Sequence, residues 1–205
     1  IIINKATGTV YGAEGLTVTT NVADHELVSA DGKYSVVKKF YVAQVGDVKY
    51  ETLAAAVEAA EAGGTVTLIA DATGAGVVIN KNLTIDFGGK IYTANAGVGS
   101  TGTQTLALQI LKGNDVTLQN GTLNVAEAAK GEFYILIQNY ANLAVEGMNL
   151  DGTNLDKYSA TDGDSYVLSN NSGEVVITGT TNITANNEGN LAFAFDACDK
   201  SGWGY

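Results

Sequence analysis

From Asn82 onward the chain repeats one short phrase of alternating apolar and polar positions. It reads NLTIDFGGKI from Asn82, DVTLQNGTL from Asp115, NLAVEGMNL from Asn142 and EVVITGTTNI from Glu174. The copies are headed by Leu83, Val116, Leu143 and Val175, which stand 33, 27 and 32 residues apart. Between them a second strand-like segment recurs: QILKGN ending at Asn114, ILIQN ending at Asn139, YVLSN ending at Asn170, and LAFAFD from Leu191. Alternation of this kind buries one side of a strand and leaves the other wet. Asn and Gly recur where the chain must turn, since both tolerate left-handed backbone angles.

One such copy cannot stand alone. Ordering about 30 residues costs on the order of 1–2 kcal/mol each, while each buried Leu, Ile or Val returns roughly 1.5–3 kcal/mol. Stacked copies close that gap by sharing one inner column and pairing their backbones. The expected fold is therefore all-β, a parallel β-solenoid with Leu118 and Val145 in its inner column. The competing fold is an antiparallel β-sandwich, for which Asn120-Gly121 would be a hairpin signal. A recurrence near 30 residues favours coils over hairpins.

One helix interrupts the strands, predicted at about 52–62 in ETLAAAVEAAEAGG. Leu53, Ala56, Val57 and Ala60 fall on one face at helical spacing. Thr52 is the expected N-cap and Gly63 the expected residue beyond the C-cap. Lying just before the first coil, this helix is suited to cover the open end of a solenoid, where apolar column and unpaired backbone would otherwise meet water. Residues 1–43 differ in pattern, with Asp31-Gly32 a turn between two strand-like runs. They read as the C-terminal part of a preceding β-rich module, and 44–205 as the solenoid, joined near Val42–Asp47. The chain opens on Ile1 and stops at Tyr205 in what reads as mid-coil, so a longer parent polypeptide is expected.

Composition removes several function classes. Among 205 residues there are 22 acids and 11 lysines, no arginine, no proline, one histidine (His25) and one cysteine (Cys198), for a net charge of -11. A disulfide scaffold and a Cys/His zinc site are excluded by that inventory. Nucleic acid is not an expected partner, because phosphate affinity needs clustered positive charge. No apolar run approaches the roughly 20 residues of a membrane span. The acidic, Thr/Asn/Gly-rich, arginine-free composition suits an exported bacterial or virion surface protein.

The segment VAQVGDVKYETLAAAVEAAEAGGTVTLIAD, followed by VVINKNLTIDFGGKIYT, resembles the start of pectin-lyase-like parallel β-helix modules. Such modules occur in adhesin-like surface proteins of gut bacteria, and related ones in phage fibres. The resemblance covers Val42–Thr93 and extends beyond only as a pattern. It implies a right-handed parallel β-helix, an N-terminal capping helix and an extracellular setting, with DGKYSVVK as the closing hairpin of the module before. It carries little about activity, since function on this fold lives in individual sites. The lyase-like and esterase-like sites of the superfamily use an arginine that this chain lacks. The polygalacturonase-like site uses a histidine among aspartates, and His25 lies outside the coils.

Four sets of residues remain as candidate chemistry. Asp86, Glu146 and Glu174 are carboxylates on or beside the recurring strands, the raw material of a two-carboxylate glycosidase. The loop from Asp151 carries Asp156, Asp162 and Asp164, of which Asp162 and Asp164 are weak calcium candidates, as oxygen ligands to a hard cation. Tyr134, Tyr140 and Tyr166 are candidate glycan contacts, with Asn139, Asn170 and Asn171 nearby. Cys198 reads as a small buried hydrophobe. The expected function is a non-catalytic extracellular module, structural and adhesive, with no cofactor, presenting a rigid surface to a glycan or protein on a host or neighbouring surface. The alternatives are a virion fibre or capsid-decorating protein, expected to be a homotrimer, and a carbohydrate-active enzyme.

Overall fold

The computed structural model describes residues 1–12, 15–100, 104–155, 165–186 and 192–198. The chain forms two compact units, Ile1–Phe40 and Tyr41–Tyr205. The first holds β1 (Ile2–Ile3), β2 (Thr9–Tyr11), β3 (Thr19–Thr20), β4 (His25–Ala30) and β5 (Lys33–Lys38). β4 and β5 are an antiparallel hairpin with Ala30 opposite Lys33. Its two-residue turn is the expected Asp31-Gly32, with φ of 49° and 72°, the doubly left-handed turn that matches strand twist. β2 adds to the other side of β5, and β1 pairs in parallel with β3.

The second unit is a β-solenoid of about four turns with, among the described residues, one short α-helix. It opens with the antiparallel pair β6 (Ala43–Val45) and β7 (Val48–Tyr50), then α1 (Leu53–Ala59). The Val42 N–H donates to the Tyr50 carbonyl, so the three residues Tyr41–Ala43 pack with this unit. The coils follow: β8 (Gly64–Leu68), β9 (Ala72–Ala75), β10 (Val77–Ile79), β11 (Leu83–Asp86), β12 (Ile91–Ala96), β13 (Leu106–Ile110) and β14 (Asp115–Val125). A 3-10 turn, Glu127–Ala129, leads to β15 (Ile135–Asn139) and β16 (Asn142–Asp151). β17 (Ser165–Asn170), β18 (Val175–Thr178), β19 (Asn182–Thr184) and β20 (Ala192–Ala197) complete the series.

Neighbouring coils pair in parallel, which excludes the sandwich. One sheet runs β8-β11-β14-β16-β18 and a second runs β10-β13-β15-β17-β20. The four predicted heads align one above another, Leu83 on Val116, Val116 on Leu143 and Leu143 on Val175. Two residues along, Val66, Ile85, Leu118 and Val145 form an inner column with no exposed surface. In the second sheet Val77, Leu108, Ile137 and Leu168 stack likewise, all buried. Fully burying each such side chain is worth roughly 1.5–3 kcal/mol.

Two local expectations are corrected. The helix ends at the C-cap Ala60, and Gly63 lies beyond it at φ 79°, its N–H on the Asn82 carbonyl (2.7 Å). Asn120-Gly121 is not a hairpin but a corner inside β14, whose halves pair with β11 and β12. Asn120, Gly147 and Gly179 follow directly on the register-matched Gln119, Glu146 and Thr178, with φ of 60°, 60° and 65°. In each of these three coils a left-handed residue at this corner turns the chain, at a position where Gly or Asn adopts that angle most cheaply.

Candidate functional site

The outward side chains of β11, β14, β16 and β18 stand in three rows. The residue just before each head forms the first: Asn82, Asp115, Asn142 and Glu174. The second is Thr84, Thr117, Ala144 and Val176, and the third Asp86, Gln119, Glu146 and Thr178. The first two rows line a groove of about 400 Å³ that crosses four successive strands. None of the described lysines lines it.

Hydrogen bonds from rung to rung hold the groove's edge. The Asp115 N–H donates to Asn82 Oδ1 (3.0 Å), Asn142 Nδ2 donates to Asp115 Oδ1 (2.9 Å), and the Glu174 N–H donates to Asn142 Oδ1 (3.3 Å). Amide and carboxylate alternate down this row, so each carboxylate is separated from the next by an intervening amide. Asp115 and Glu174 lie two strand spacings apart, about 10 Å. These four residues were each legible as the polar letter that opens a copy of the repeat. What the pattern alone did not supply was that they share one edge, which follows only from the register.

The carboxylates singled out from sequence do not gather. Asp86 and Glu146 share the third row, with Gln119 on the strand between them, while Glu174 stands in the first. The Asp86 carboxylate is engaged at its corner: Oδ1 accepts from the Gly88 N–H (2.8 Å) and Oδ2 from Gln119 Nε2 (3.1 Å). Its position is explained by turn formation. Among the described residues no three His, Cys, Asp or Glu side chains come together as a metal site. Asp162 and Asp164, the calcium candidates, and Asp156 lie outside the described residues.

The three tyrosines do not form one platform. Tyr134 precedes β15 and Tyr140 follows it, about 20 Å apart at strand rise. Tyr140 is only 3% exposed, so it has no ring face for a sugar to cover. Tyr134 and Tyr166 are neighbours, the Tyr166 N–H donating to the Tyr134 carbonyl (2.9 Å). The Tyr166 ring stacks on Phe193 with centroids 5.4 Å apart. Both of these tyrosines are half-buried.

The asparagines near them are structural. Asn139 has no exposed surface; its Nδ2 donates to the Ala141 carbonyl (2.7 Å) and to Asn170 Oδ1 (2.8 Å). Asn114 does not join this ladder, because Ile110 occupies the register position opposite Asn139. Four residues separate Ile110 from β14 and only two separate Asn139 from β16, so the extra pair carries Asn114 past the column. Cys198 is half-buried, with Sγ 3.2 Å from Oδ1 of the buried Asn171.

Comparison with family models, with characterised proteins and with solved structures finds no match to this chain. The class is accordingly defined by the fold itself, a parallel β-solenoid with a groove across one outer sheet face. Among the described residues no helix is long and apolar enough to cross a membrane.

Proposed function

We propose that this chain is a non-catalytic, extracellular, structural and adhesive module of pectin-lyase-like right-handed β-helix type, presenting a rigid surface to a glycan. The observation that carries this reading is the groove built by four consecutive strands in register. A surface repeated once per coil, on a scaffold whose inner column is buried through Val66, Ile85, Leu118 and Val145, is pre-organised before any partner arrives. That lowers the ordering cost of association. The two carboxylates at the groove, Asp115 and Glu174, are spaced by the Asn142 amide, an arrangement suited to accepting hydrogen bonds from hydroxyl groups. Nothing in their geometry sets one acid against one base across a scissile bond.

The test is to incubate the purified chain with an immobilised polysaccharide panel and follow retention and soluble sugar release together. Retention without new reducing or unsaturated ends is expected. Release of such ends above a heat-denatured control would overturn the non-catalytic reading, and failure to be retained by any glycan would overturn the glycan partner.

A further inference from the structure

We infer that the free edge of β10, beside α1, takes an extended cationic peptide as an added strand. This site shares no lining residue with the groove across β11, β14, β16 and β18, and it stands whatever that groove binds.

The first argument is how the two sheets begin. In the first sheet β6 adds to β8 in antiparallel fashion, with Ala43 opposite Leu68 and Gln44 opposite Thr67. The second sheet lacks such a strand: among the described residues β10 pairs with β13 alone. The Leu111 N–H donates to the Ile79 carbonyl (2.9 Å), so Ile79 turns its backbone toward β13. Successive residues of a strand turn their backbone groups to opposite sides, which sets the Val78 N–H and carbonyl on the open edge. A donor and an acceptor on one residue are what a second extended backbone matches.

The second argument is that this edge is unguarded and has a wall beside it. Prolines and projecting lysines keep free edges from pairing. The chain has no proline, and Lys81, the lysine at this edge, has its Nζ on the Glu58 and Ala60 carbonyls. Between β10 and α1 lies a cleft of about 380 Å³, lined in part by Ala54, Val57 and Val77. Val78 itself is 38% exposed. An added strand would meet the Val78 backbone along its length and lay an apolar side chain in the cleft. β10 is only three residues long, so the backbone bonds are few and the cleft supplies the remaining contact.

Charge selects the peptide. Glu58 and Lys81 are the charged residues of the lining. The Lys81 ammonium is spent on carbonyls at the end of α1, while the Glu58 side chain is exposed at the cleft. With a net charge of -11 on the chain, cationic partners are steered in and acidic ones repelled.

The experiment titrates the full isotope-labelled chain, followed by NMR, with end-blocked hexapeptides. One alternates valine with lysine and one valine with glutamate. Two further versions of the first carry backbone N-methyl groups, on the valines only or on the lysines only. The valine–lysine peptide should bind and shift the Val78 amide signal. One N-methylated version should bind about tenfold or more weakly and the other should bind as the parent does, since an added strand turns every second amide toward its neighbour. Val78→Pro should also weaken binding by about tenfold or more at unchanged melting, because an edge strand tolerates proline where the N–H faces solvent. Should that variant melt lower, the N-methylated pair decides without it. The valine–glutamate peptide should bind at least about tenfold more weakly, and Glu58→Gln should weaken the valine–lysine peptide by about threefold. Absence of binding by the valine–lysine peptide overturns the inference, as does equal binding by the two N-methylated versions or undiminished binding by Val78→Pro. Equal binding of the lysine and glutamate peptides, or no effect of Glu58→Gln, overturns the cationic partner.

Discussion

At the scale of single residues, the corner positions govern the coil. Gly147 sits at φ 60°, and a Cβ built there would have as its nearest neighbour Asn120 Oδ1 at 3.7 Å, an ordinary contact. Space is not the constraint; the backbone angle is. Gly147→Asn should therefore melt within about 0.5 kcal/mol of wild type, while Gly147→Val should cost about 1–2 kcal/mol, read by urea denaturation. Equal losses would place the strain elsewhere. Tyr92 gives a second test. Its hydroxyl donates to the Ala75 carbonyl (2.6 Å), and burial pushes its pKa from 10.0 up to about 12. Between pH 10 and 12 the unfolded chain ionises this tyrosine and the folded chain does not, so stability present below pH 10 is lost as pH rises. Tyr92→Phe should lower stability near pH 8 by about 1 kcal/mol, the worth of one hydrogen bond. It should also flatten the fall in melting temperature between pH 10 and 12; a fall as steep as that of wild type would contradict this role.

At the scale of elements, α1 shows what a local pattern discloses and what it hides. Its inner face was readable from spacing, and Leu53, Ala56, Val57 and Ala60 are all at most 3% exposed. Its start was readable too, since Thr52 Oγ1 accepts from the Ala55 N–H (3.1 Å). Its end was not, because the closing group comes from more than twenty residues on. Lys81 Nζ donates to the Glu58 and Ala60 carbonyls, both at 2.9 Å, satisfying two groups that a helix C-terminus leaves open. Gly63 was the only local candidate, and it instead turns the chain into β8. Lys81→Met should destabilise the solenoid by about 1 kcal/mol, to a similar extent as Thr52→Ala. Circular dichroism melts of both variants check this, and a Lys81→Met protein as stable as wild type would remove the lysine's capping role.

At the scale of the whole molecule, the sequence carried the stacking order better than the surface. Leu83, Val116, Leu143 and Val175 were recognisable because the inner column demands an apolar residue at one place in every coil. The groove's edge was present in the same letters, as Asn82, Asp115, Asn142 and Glu174, yet its meaning depended on register between segments about 30 residues apart. The tyrosines drew attention as residue types, and the register then separated Tyr140 from Tyr134 and Tyr166. The most direct measurement is therefore of register itself. In a Cys198→Ser background, Thr117→Cys with Ala144→Cys places two thiols on adjacent parallel strands, about 4.8 Å apart and within disulfide reach. Thr84→Cys with Ala144→Cys places them two strands apart, about 10 Å and out of reach. Mild oxidation followed by mass spectrometry should find an intramolecular disulfide in the first pair and free thiols in the second. A disulfide in the second pair and none in the first would contradict the stacked coils and the groove they form.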